Sequence, residues 1–158
     1  MRPDPSVDHV PVRIKRLSPH AMLPEYQSPD AAGMDLHAAL EESITIGPGE
    51  VARIPCGFAM SLPVGYEAQI RPRSGLACKH KLSIPNAPAT IDRDYRGELQ
   101  VALINLGRTP FVVEPKVRIA QMIVAPVARG IVEEVDELDE TKRGAGGFGS
   151  TGLGGTVE

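Results

Sequence analysis

The sequence predicts an all-β fold, a sandwich or barrel of short strands with at most one short helix. Its 15 prolines and 16 glycines are spread along 158 residues, so they interrupt any long helix. Apolar residues recur in short runs, and several of these runs alternate with polar residues as half-buried strands do. No long amphipathic helix is visible, which argues against doubly wound and TIM-barrel architectures.

About ten strands are predicted, at the spacing that sandwiches and barrels have. Strong turn signals, such as Gly47-Pro48-Gly49 and Pro63-Val64-Gly65, separate some of them. The predicted strands are residues 10–17, 34–39, 44–46, 51–54, 58–62, 66–71, 82–84, 99–104, 111–113 and 117–127. A short helix is predicted over residues 74–79.

The pattern indicates one β domain over residues 10–141, between a loose N-terminal tail at residues 1–9 and a Gly-rich C-terminal segment at residues 142–158. Seven glycines fall between residues 144 and 155. A chain of this composition has high backbone entropy and little to bury. We therefore expect a tail that is mobile when nothing is bound.

Composition narrows the class of protein. The net charge of −3 does not favour nucleic-acid binding, and no apolar run is long enough to span a membrane. The N-terminus lacks the apolar core of a secretory signal, so a cytoplasmic location is expected. The two cysteines, Cys56 and Cys78, fit a reducing compartment, and we interpret both as small core or surface residues.

The Gly-rich tail contains the spacing G-x-G-x-x-G from Gly144 to Gly149. A dinucleotide-binding loop must open a helix within a βαβ unit, and a phosphate loop needs a lysine and a following helix, so both interpretations fail here. A disordered tail is one alternative. The other is an anion clamp, because Arg143, Phe148 and Ser150-Thr151 offer a guanidinium, a ring and hydroxyl donors.

Two further segments carry candidate chemistry. Arg73 and Ser74 follow a strand where a helix is predicted, so they could bind phosphate, although Ser74 could equally be a simple helix cap. The loop around Asp92 and Tyr95 concentrates charge, and a carboxylate there could deprotonate water or hold a hydrated metal. The plain alternative for this loop is a solvated charged turn.

Other polar residues interrupt apolar strand patterns. Asp35 lies in such a pattern, and a buried carboxylate needs partners. It could cap a turn or face a metal site. Arg118 and Gln121 lie in the last predicted strand, where they could satisfy local hydrogen bonds or reach a site.

Five segments in this order resemble the five motifs of the trimeric dUTP diphosphatase family. They are AGMDLHA at 32–38, PRSGLA at 72–77, NAPATIDRDYRGEL at 86–99, RIAQM at 118–122 and RGAGGFGSTG at 143–152. The resemblance implies a homotrimer of jelly-roll-like subunits with shared active sites and Mg²⁺ bound to the triphosphate. It implies in-line attack of water on the α-phosphorus of dUTP, giving dUMP and pyrophosphate, which limits uracil in DNA and supplies dUMP for thymidylate synthesis.

The resemblance also implies roles for single residues. Asp92 matches the aspartate that orients the attacking water, and Tyr95 the tyrosine under the deoxyribose that leaves no room for a 2′-hydroxyl. Asn86 matches the asparagine that pairs with uracil, a task that suits an amide because it both donates and accepts. Asp35 matches an aspartate near the metal–water network, so its metal role is indirect.

The implied phosphate contacts come from three motifs. The phosphate-binding residues are Arg73, Ser74, Gly75 and Gln121. The tail adds Arg143 for phosphate, Phe148 for stacking on uracil, and Gly149, Ser150 and Thr151 for the γ-phosphate, so the resemblance implies that residues 142–158 act as a lid. Two positions depart from the family: Met34 replaces a frequent aromatic residue, and Ala89 a frequent glycine in the uracil hairpin.

Two other functions compete with this one. A dCTP deaminase shares the fold, but it needs an acid/base group beside C4 of the base, and the pattern of Asn86, Tyr95 and Phe148 favours dUTP hydrolysis. A non-catalytic β-sandwich nucleotide-binding protein would hold dUTP without needing Asp92. Ammonia release from dCTP and pyrophosphate release from dUTP distinguish the three.

Overall fold

Short apolar stretches that end at Pro, Gly or charged residues form the strands in a computed structural model that describes residues 9–147. One short helix, α1, spans Ser74–His80 of the described chain. The twelve strands there are β1 (Arg13–Arg16), β2 (Glu25–Tyr26), β3 (Met34–His37), β4 (Ile44–Ile46), β5 (Val51–Pro55), β6 (Phe58–Ser61), β7 (Tyr66–Arg71), β8 (Leu82–Ser83), β9 (Ala89–Ile91), β10 (Gln100–Asn105), β11 (Phe111–Val113) and β12 (Arg118–Pro126).

The strands pair antiparallel in four sheets. The largest has the order β2-β3-β12-β7-β9, and a second has the order β5-β10-β8. The pairs β1-β6 and β11-β4 complete the set. The prediction of an all-β fold with at most one short helix is confirmed, and this scaffold is the jelly-roll-like one that the resemblance implied.

A single hydrophobic core lies between the sheets. Alternating strand residues face it, as the burial of Val101, Leu103 and Asn105 in β10 illustrates. The largest fully buried side chains are Phe58, Leu36, Ile46, Ile54, Ile70, Leu82, Leu99, Leu103, Ile119, Met122, Val101 and Val113. Each such side chain contributes about 1.5–3 kcal/mol relative to an exposed one, so the core holds the loops on a stable base.

Most strand predictions are confirmed, and two strands were missed. The predicted bounds of β4, β7 and β11 match the structure, and the helix begins at the predicted residue. The missed strands are β2 and β9, which have two and three residues. Both pair with longer strands, β3 and β7, so their extended form depends on partners distant in sequence.

The chain divides into two compact units at residues 128 and 129. The first unit contains all of the strands and α1. In the second, the residues that the structure describes, 129–147, form turns and irregular chain. The predicted boundaries at residues 9 and 141 stay predictions, and most of the predicted lid, from residue 148 onward, lies outside the described residues.

No helix in the part of the chain that the structure describes is both long and apolar enough to cross a membrane.

The two cysteines are not paired with each other, and their surroundings differ. Cys56 is fully buried, whereas Cys78 is exposed on α1. Burial, together with the nearby charge of Glu98, raises the pKa of the Cys56 thiol to about 12. Since the thiolate is the reactive form, Cys56 is doubly protected from modification.

We therefore expect the folded protein to present one reactive thiol. Titration with a chromogenic disulfide reagent at neutral pH should release one rapid equivalent from Cys78 and a second only after denaturation. Cys78→Ser should abolish the rapid phase. Two rapid equivalents from the folded wild-type protein would show that Cys56 is accessible.

Candidate active site

A buried carboxylate joins three separate segments of the chain. Asp35 of β3 is 7% exposed, and its two oxygens pair with Arg73 Nε and Arg118 Nη1, each at 3.0 Å. Arg73 Nη1 also donates to the Arg118 carbonyl at 3.2 Å. The prediction that a buried Asp35 needs partners is confirmed, and the partners are two guanidinium groups. Its predicted indirect contact with a metal stays a prediction.

A β-bulge in β12 brings Arg118 to this carboxylate. Gln121 pairs with Asp35 in register, but the register shifts between Arg118 and Ala120, so Arg118 lies opposite His37. Strand side chains alternate between faces, so one extra residue turns Arg118 to the face that Ile119 would otherwise occupy. Ile119 is instead buried in the core.

Gln121 fastens the segment before α1 to β12. Its Nε2 donates to the Pro72 carbonyl at 2.9 Å. A Cβ at Gly33 would lie 2.7 Å from Gln121 Oε1, so glycine at this position lets the backbone pass close to the amide. The predicted site residues Asp35, Arg73 and Gln121 are therefore brought together.

The turn into α1 carries the other predicted phosphate-binding residues. Arg73 is the N-cap in an extended conformation, and no side chain of the described residues caps this end, so the alternative of a Ser74 cap is wrong. The first helical bond runs from Ala77 N to the Arg73 carbonyl. The amides of Ser74 and Gly75 have no acceptor within the helix, and the space beside Gly75 is open.

Asn86 lies on the loop between β8 and β9. It is exposed and lines a cavity of about 210 Å³ whose floor includes Ile70 and Ile84. Ala89 begins β9, pairs with Ile70 and has no positive φ, so its methyl group is accommodated without strain. The departure from glycine at residue 89 is thus compatible with the local backbone.

Asp92 and Tyr95 line a second cavity of about 180 Å³. Both are exposed, and the Tyr95 amide donates to the Asp92 carbonyl at 3.1 Å, which closes a tight turn. The two cavities share Thr90, Ile91 and Gln100 as lining residues. Asn86 on one side and Asp92 and Tyr95 on the other are therefore neighbours within one chain.

The carboxylate of Asp92 differs from that of Asp35. Two arginines pair with Asp35, whereas no Lys or Arg among residues 9–147 pairs with Asp92. An exposed carboxylate without a cationic partner keeps its lone pairs for water or another donor. This arrangement can accept a proton from a bound water.

The Asp35 cluster and the Asp92 loop lie at different ends of the large sheet. Gln121 pairs with both Asp35 and Arg71, so these three residues lie side by side across the sheet. The pairing of Ile91 with Ala68 places the next residue, Asp92, level with Glu67. The four residue steps from Arg71 to Glu67 span about 13 Å along β7 at roughly 3.3 Å per residue. Three strand spacings of roughly 4.8 Å add about 14 Å across the sheet. One chain therefore does not bring these two groups together.

The remaining predicted site residues belong to the second unit or lie beyond the described chain. In that unit, Arg143 Nε donates to the Gly146 carbonyl at 2.7 Å, and the Gly146 amide donates back to the Arg143 carbonyl at 3.1 Å. Arg143 thus closes a local turn. Phe148, Gly149, Ser150 and Thr151 lie outside the described residues.

The cationic cluster consists of Asp35, Arg73 and Arg118, with Gln27 at its edge. The sequence left open whether Arg118 reaches a site, and it did not predict Gln27. Arg118 is half exposed, and its Nη1 also donates to Gln27 Oε1 at 3.2 Å. Arg118 was noted as polar within an apolar strand, which was a usable signal. Gln27 follows β2 in an exposed loop, and nothing in its sequence surroundings indicated this contact.

The fold and these residues define a class of protein. It is an all-β scaffold with two arginines around a buried carboxylate at one end of its large sheet, and with the exposed side chains of Asp92 and Tyr95 at the other. The family model described as dUTPase matches residues 19–152, and the chain belongs to that family.

Similar proteins include two bacterial enzymes named deoxyuridine 5′-triphosphate nucleotidohydrolase. The one from Syntrophotalea carbinolica is 53% identical over 144 residues, which cover 91% of this chain and 98% of that protein. The one from Maricaulis maris is 56% identical over 147 residues, 90% of this chain and 97% of that protein. Among solved structures, a Staphylococcus bacteriophage 80alpha dUTPase with dUPNHPP matches with a TM-score of 0.83 and 27% identity, covering 90% of this chain and 99% of that one.

His37 lies beside the cationic cluster. It is 6% exposed, and its Nδ1 has no hydrogen-bond partner among the described residues. Burial lowers the pKa of His37 below 6.5; Asp35 and Glu25 oppose this shift, while Arg118 and Arg73 add to it. The folded protein therefore holds His37 neutral at a pH where the unfolded chain takes up a proton.

Since the unfolded state binds more protons near the ordinary histidine pKa, stability should fall as the pH drops through that range. We expect the free energy of unfolding to decline from about pH 7.5 to about pH 5.5, and to decline less in His37→Gln, which cannot titrate there. Urea unfolding at fixed protein concentration measures both slopes. Equal slopes in the two proteins would contradict the assignment to His37.

Proposed function

We propose that this member of the dUTPase family hydrolyses dUTP to dUMP and pyrophosphate by attack of one water, oriented by Asp92, on the α-phosphorus. The observation that carries the proposal is the order of groups around the two adjoining cavities. Asn86 borders one cavity, and Tyr95 and Asp92 border the next. A nucleotide has the same order, with base, sugar and phosphate in sequence.

In this proposal Asp92 acts as the general base. Its exposed carboxylate, which is free of a cationic partner within the described chain, accepts a proton from the water as the new P–O bond forms. The electron pair of the bond from the α-phosphorus to its bridging oxygen leaves with pyrophosphate.

Asn86 and Tyr95 select the nucleoside. The Asn86 amide can both donate to and accept from the edge of uracil. The Tyr95 ring lies under the deoxyribose, where its bulk leaves no space for a 2′-hydroxyl. The shared lining residues Thr90, Ile91 and Gln100 connect the base cavity to the sugar cavity, which supports these two assignments.

Arg73, Ser74, Gly75 and Gln121 bind the phosphates. Arg73 uses Nε for Asp35 and one Nη1 hydrogen for the Arg118 carbonyl, so its remaining donors stay available for anionic oxygens. Asp35 holds this guanidinium in place. In this proposal Asp35 also contacts the metal indirectly, through a water molecule. Gln121 supports the turn through Pro72.

The tail completes the proposed site. Arg143 contacts phosphate, Phe148 stacks on uracil, and Gly149, Ser150 and Thr151 close on the γ-phosphate. A Gly-rich lid of this kind would exclude water from the reacting groups.

Mg²⁺ is the proposed cofactor, carried chiefly by the triphosphate. Residues 9–147 contain no cluster of three His, Cys, Asp or Glu side chains that could hold a metal ion. The proposed indirect contact of Asp35 through water fits Mg²⁺, which commonly keeps several waters and takes its other ligands from substrate phosphates. When bound, it neutralises charge on the phosphates.

A homotrimer with shared active sites explains the distance between the two halves of the proposed site. Arg73 and Asp92 lie at opposite ends of the large sheet in one chain, so one copy supplies the phosphate-binding end and another the nucleoside-binding end.

The proposal also includes a cytoplasmic location, which the two unpaired thiols support because oxidising compartments favour disulfides. There the enzyme would limit uracil in DNA and supply dUMP.

Replacing the general base tests the reaction. Asp92→Asn keeps the size of the side chain but cannot accept the proton, so kcat for dUTP should fall by about 10²–10⁴-fold with little change in KM. Pyrophosphate release in the presence of Mg²⁺ measures it. Asp94→Asn, which removes a second exposed carboxylate from the same loop, is the matched control and should retain turnover.

Turnover of Asp92→Asn near the wild-type rate would remove Asp92 from the reaction. Ammonia release from dCTP by the wild-type protein would identify the deaminase instead. Binding of dUTP without pyrophosphate release would identify the non-catalytic binding protein.

Mixing two inactive variants tests the shared site. Arg73→Ala and Asp92→Asn should each be inactive as homotrimers, but chains denatured and refolded together should recover activity. With random assembly, each of the two contributing chains carries the intact group half the time, so about a quarter of the sites should be complete. A mixture that stays inactive, while refolded wild-type protein regains activity, would mean that each site is built by one chain.

A further inference from the structure

The Tyr95 ring is held by two residues that follow it in the chain. Its hydroxyl donates to the Glu98 carbonyl at 3.0 Å. Gly97 lies against the hydroxyl end of the ring: a Cβ there would be 2.3 Å from the hydroxyl oxygen and 2.6 Å from the ring carbon that bears it. These distances are far inside van der Waals contact, so the ring can occupy this position only because residue 97 has no side chain.

Glu98 is in turn attached to the body of the domain. Its carboxylate accepts a hydrogen bond from the Gly57 amide at 2.9 Å, across 41 residues of sequence. The adjacent Leu99 amide donates to the Phe58 carbonyl, and the Cys56 amide donates to the Leu99 carbonyl. Three hydrogen bonds therefore join residues 98 and 99 to the turn at residues 56–58.

That turn is itself rigid. Gly57 has φ +74, and a Cβ there would lie 2.8 Å from the side chains of both Ala21 and Ala39. Cys56 and Phe58, on either side, are fully buried. The loop that bears Tyr95 is exposed from Asp92 to Gly97, so Glu98 is where this loop meets the core.

We propose that Glu98 and Gly97 are positioning residues that fix the Tyr95 ring and so set the discrimination between deoxyribonucleotides and ribonucleotides. The inference rests on the proposed function, in which Tyr95 lies under the sugar. A ring excludes one hydroxyl group only if it cannot retreat by about the radius of an oxygen atom. The Glu98 carbonyl and the bare backbone of Gly97 hold it in place, and the Gly57–Glu98 bond keeps that carbonyl fixed to the core.

The test compares kcat/KM for dUTP and UTP in matched variants. Glu98→Ala removes the bond to Gly57 and should lower the dUTP/UTP ratio on the order of tenfold, mainly by admitting UTP. Glu98→Gln keeps an oxygen that can accept from the Gly57 amide, so it should preserve the wild-type ratio. A wild-type ratio in folded Glu98→Ala, or an equal loss in both variants, would overturn the proposal.

Two further variants keep the test decisive if Glu98→Ala fails to fold. Tyr95→Phe deletes only the hydroxyl that bonds to the Glu98 carbonyl, and Gly97→Ala places a methyl group against the hydroxyl end of the ring. Both should lower the dUTP/UTP ratio while the midpoint of thermal unfolding changes little. Unchanged ratios in both would overturn the proposal as well.

A spectroscopic measurement separates this inference from the proposed function. The chain has three tyrosines, so ¹⁹F NMR of protein labelled with 3-fluorotyrosine gives few lines, and Tyr95→Phe identifies that of Tyr95. The line should shift in Glu98→Ala and stay in Glu98→Gln, whether or not the protein hydrolyses dUTP. A line unmoved in Glu98→Ala would refute the positioning role, whereas wild-type protein that releases no pyrophosphate would refute the proposed function alone.

Discussion

The ion pairs of Asp35 with Arg73 and Arg118 are the constraint on which the proposed phosphate-binding end of the molecule depends. A carboxylate that is 7% exposed is costly to bury unless cations and hydrogen bonds compensate. Removing one partner of a buried pair typically costs about 3–5 kcal/mol. The effect here should be smaller, because the Arg118 side chain is 43% exposed and water screens its charge. The ion pairs fix the orientation of both guanidinium groups as much as they add stability. They leave outward-facing N–H donors on Arg73 and Arg118.

The cluster also shows how strand register decides which side chain faces the Asp35 carboxylate. A regular pairing of β12 with β3 would turn Ile119 toward Asp35 and Arg118 away from it. The bulge between Arg118 and Ala120 reverses this, so one residue of register exchanges an apolar side chain for a guanidinium. The same sheet separates this end from the Asp92 loop by a distance that its strand spacing dictates. This separation is the geometric basis of the proposal that several copies of the chain share each site.

Sequence patterns predicted the parts of the fold that local chemistry determines. The strand Tyr66–Arg71 is bounded by Gly65 and Pro72, and both bounds were correct for that reason. The strand Ala89–Ile91 was missed because three residues after a proline carry little periodicity, and β7 supplies its hydrogen bonds. Most residues of the cationic cluster were predicted from the family resemblance, but their contacts were not. Arg118 pairs with Asp35 across 83 residues and with Gln27 across 91, and no local pattern encodes such distances.

The path from Tyr95 to Gly57 anchors this exposed loop in the core, and with it the sugar selectivity that we propose for Tyr95. The Tyr95 hydroxyl donates to the Glu98 carbonyl, and the Glu98 carboxylate accepts from the Gly57 amide. Ala21 and Ala39 pack closely against Gly57. Interiors pack densely enough that a shift at one end of such a chain moves the other. Substitutions around Gly57 should then alter sugar discrimination without touching the nucleotide.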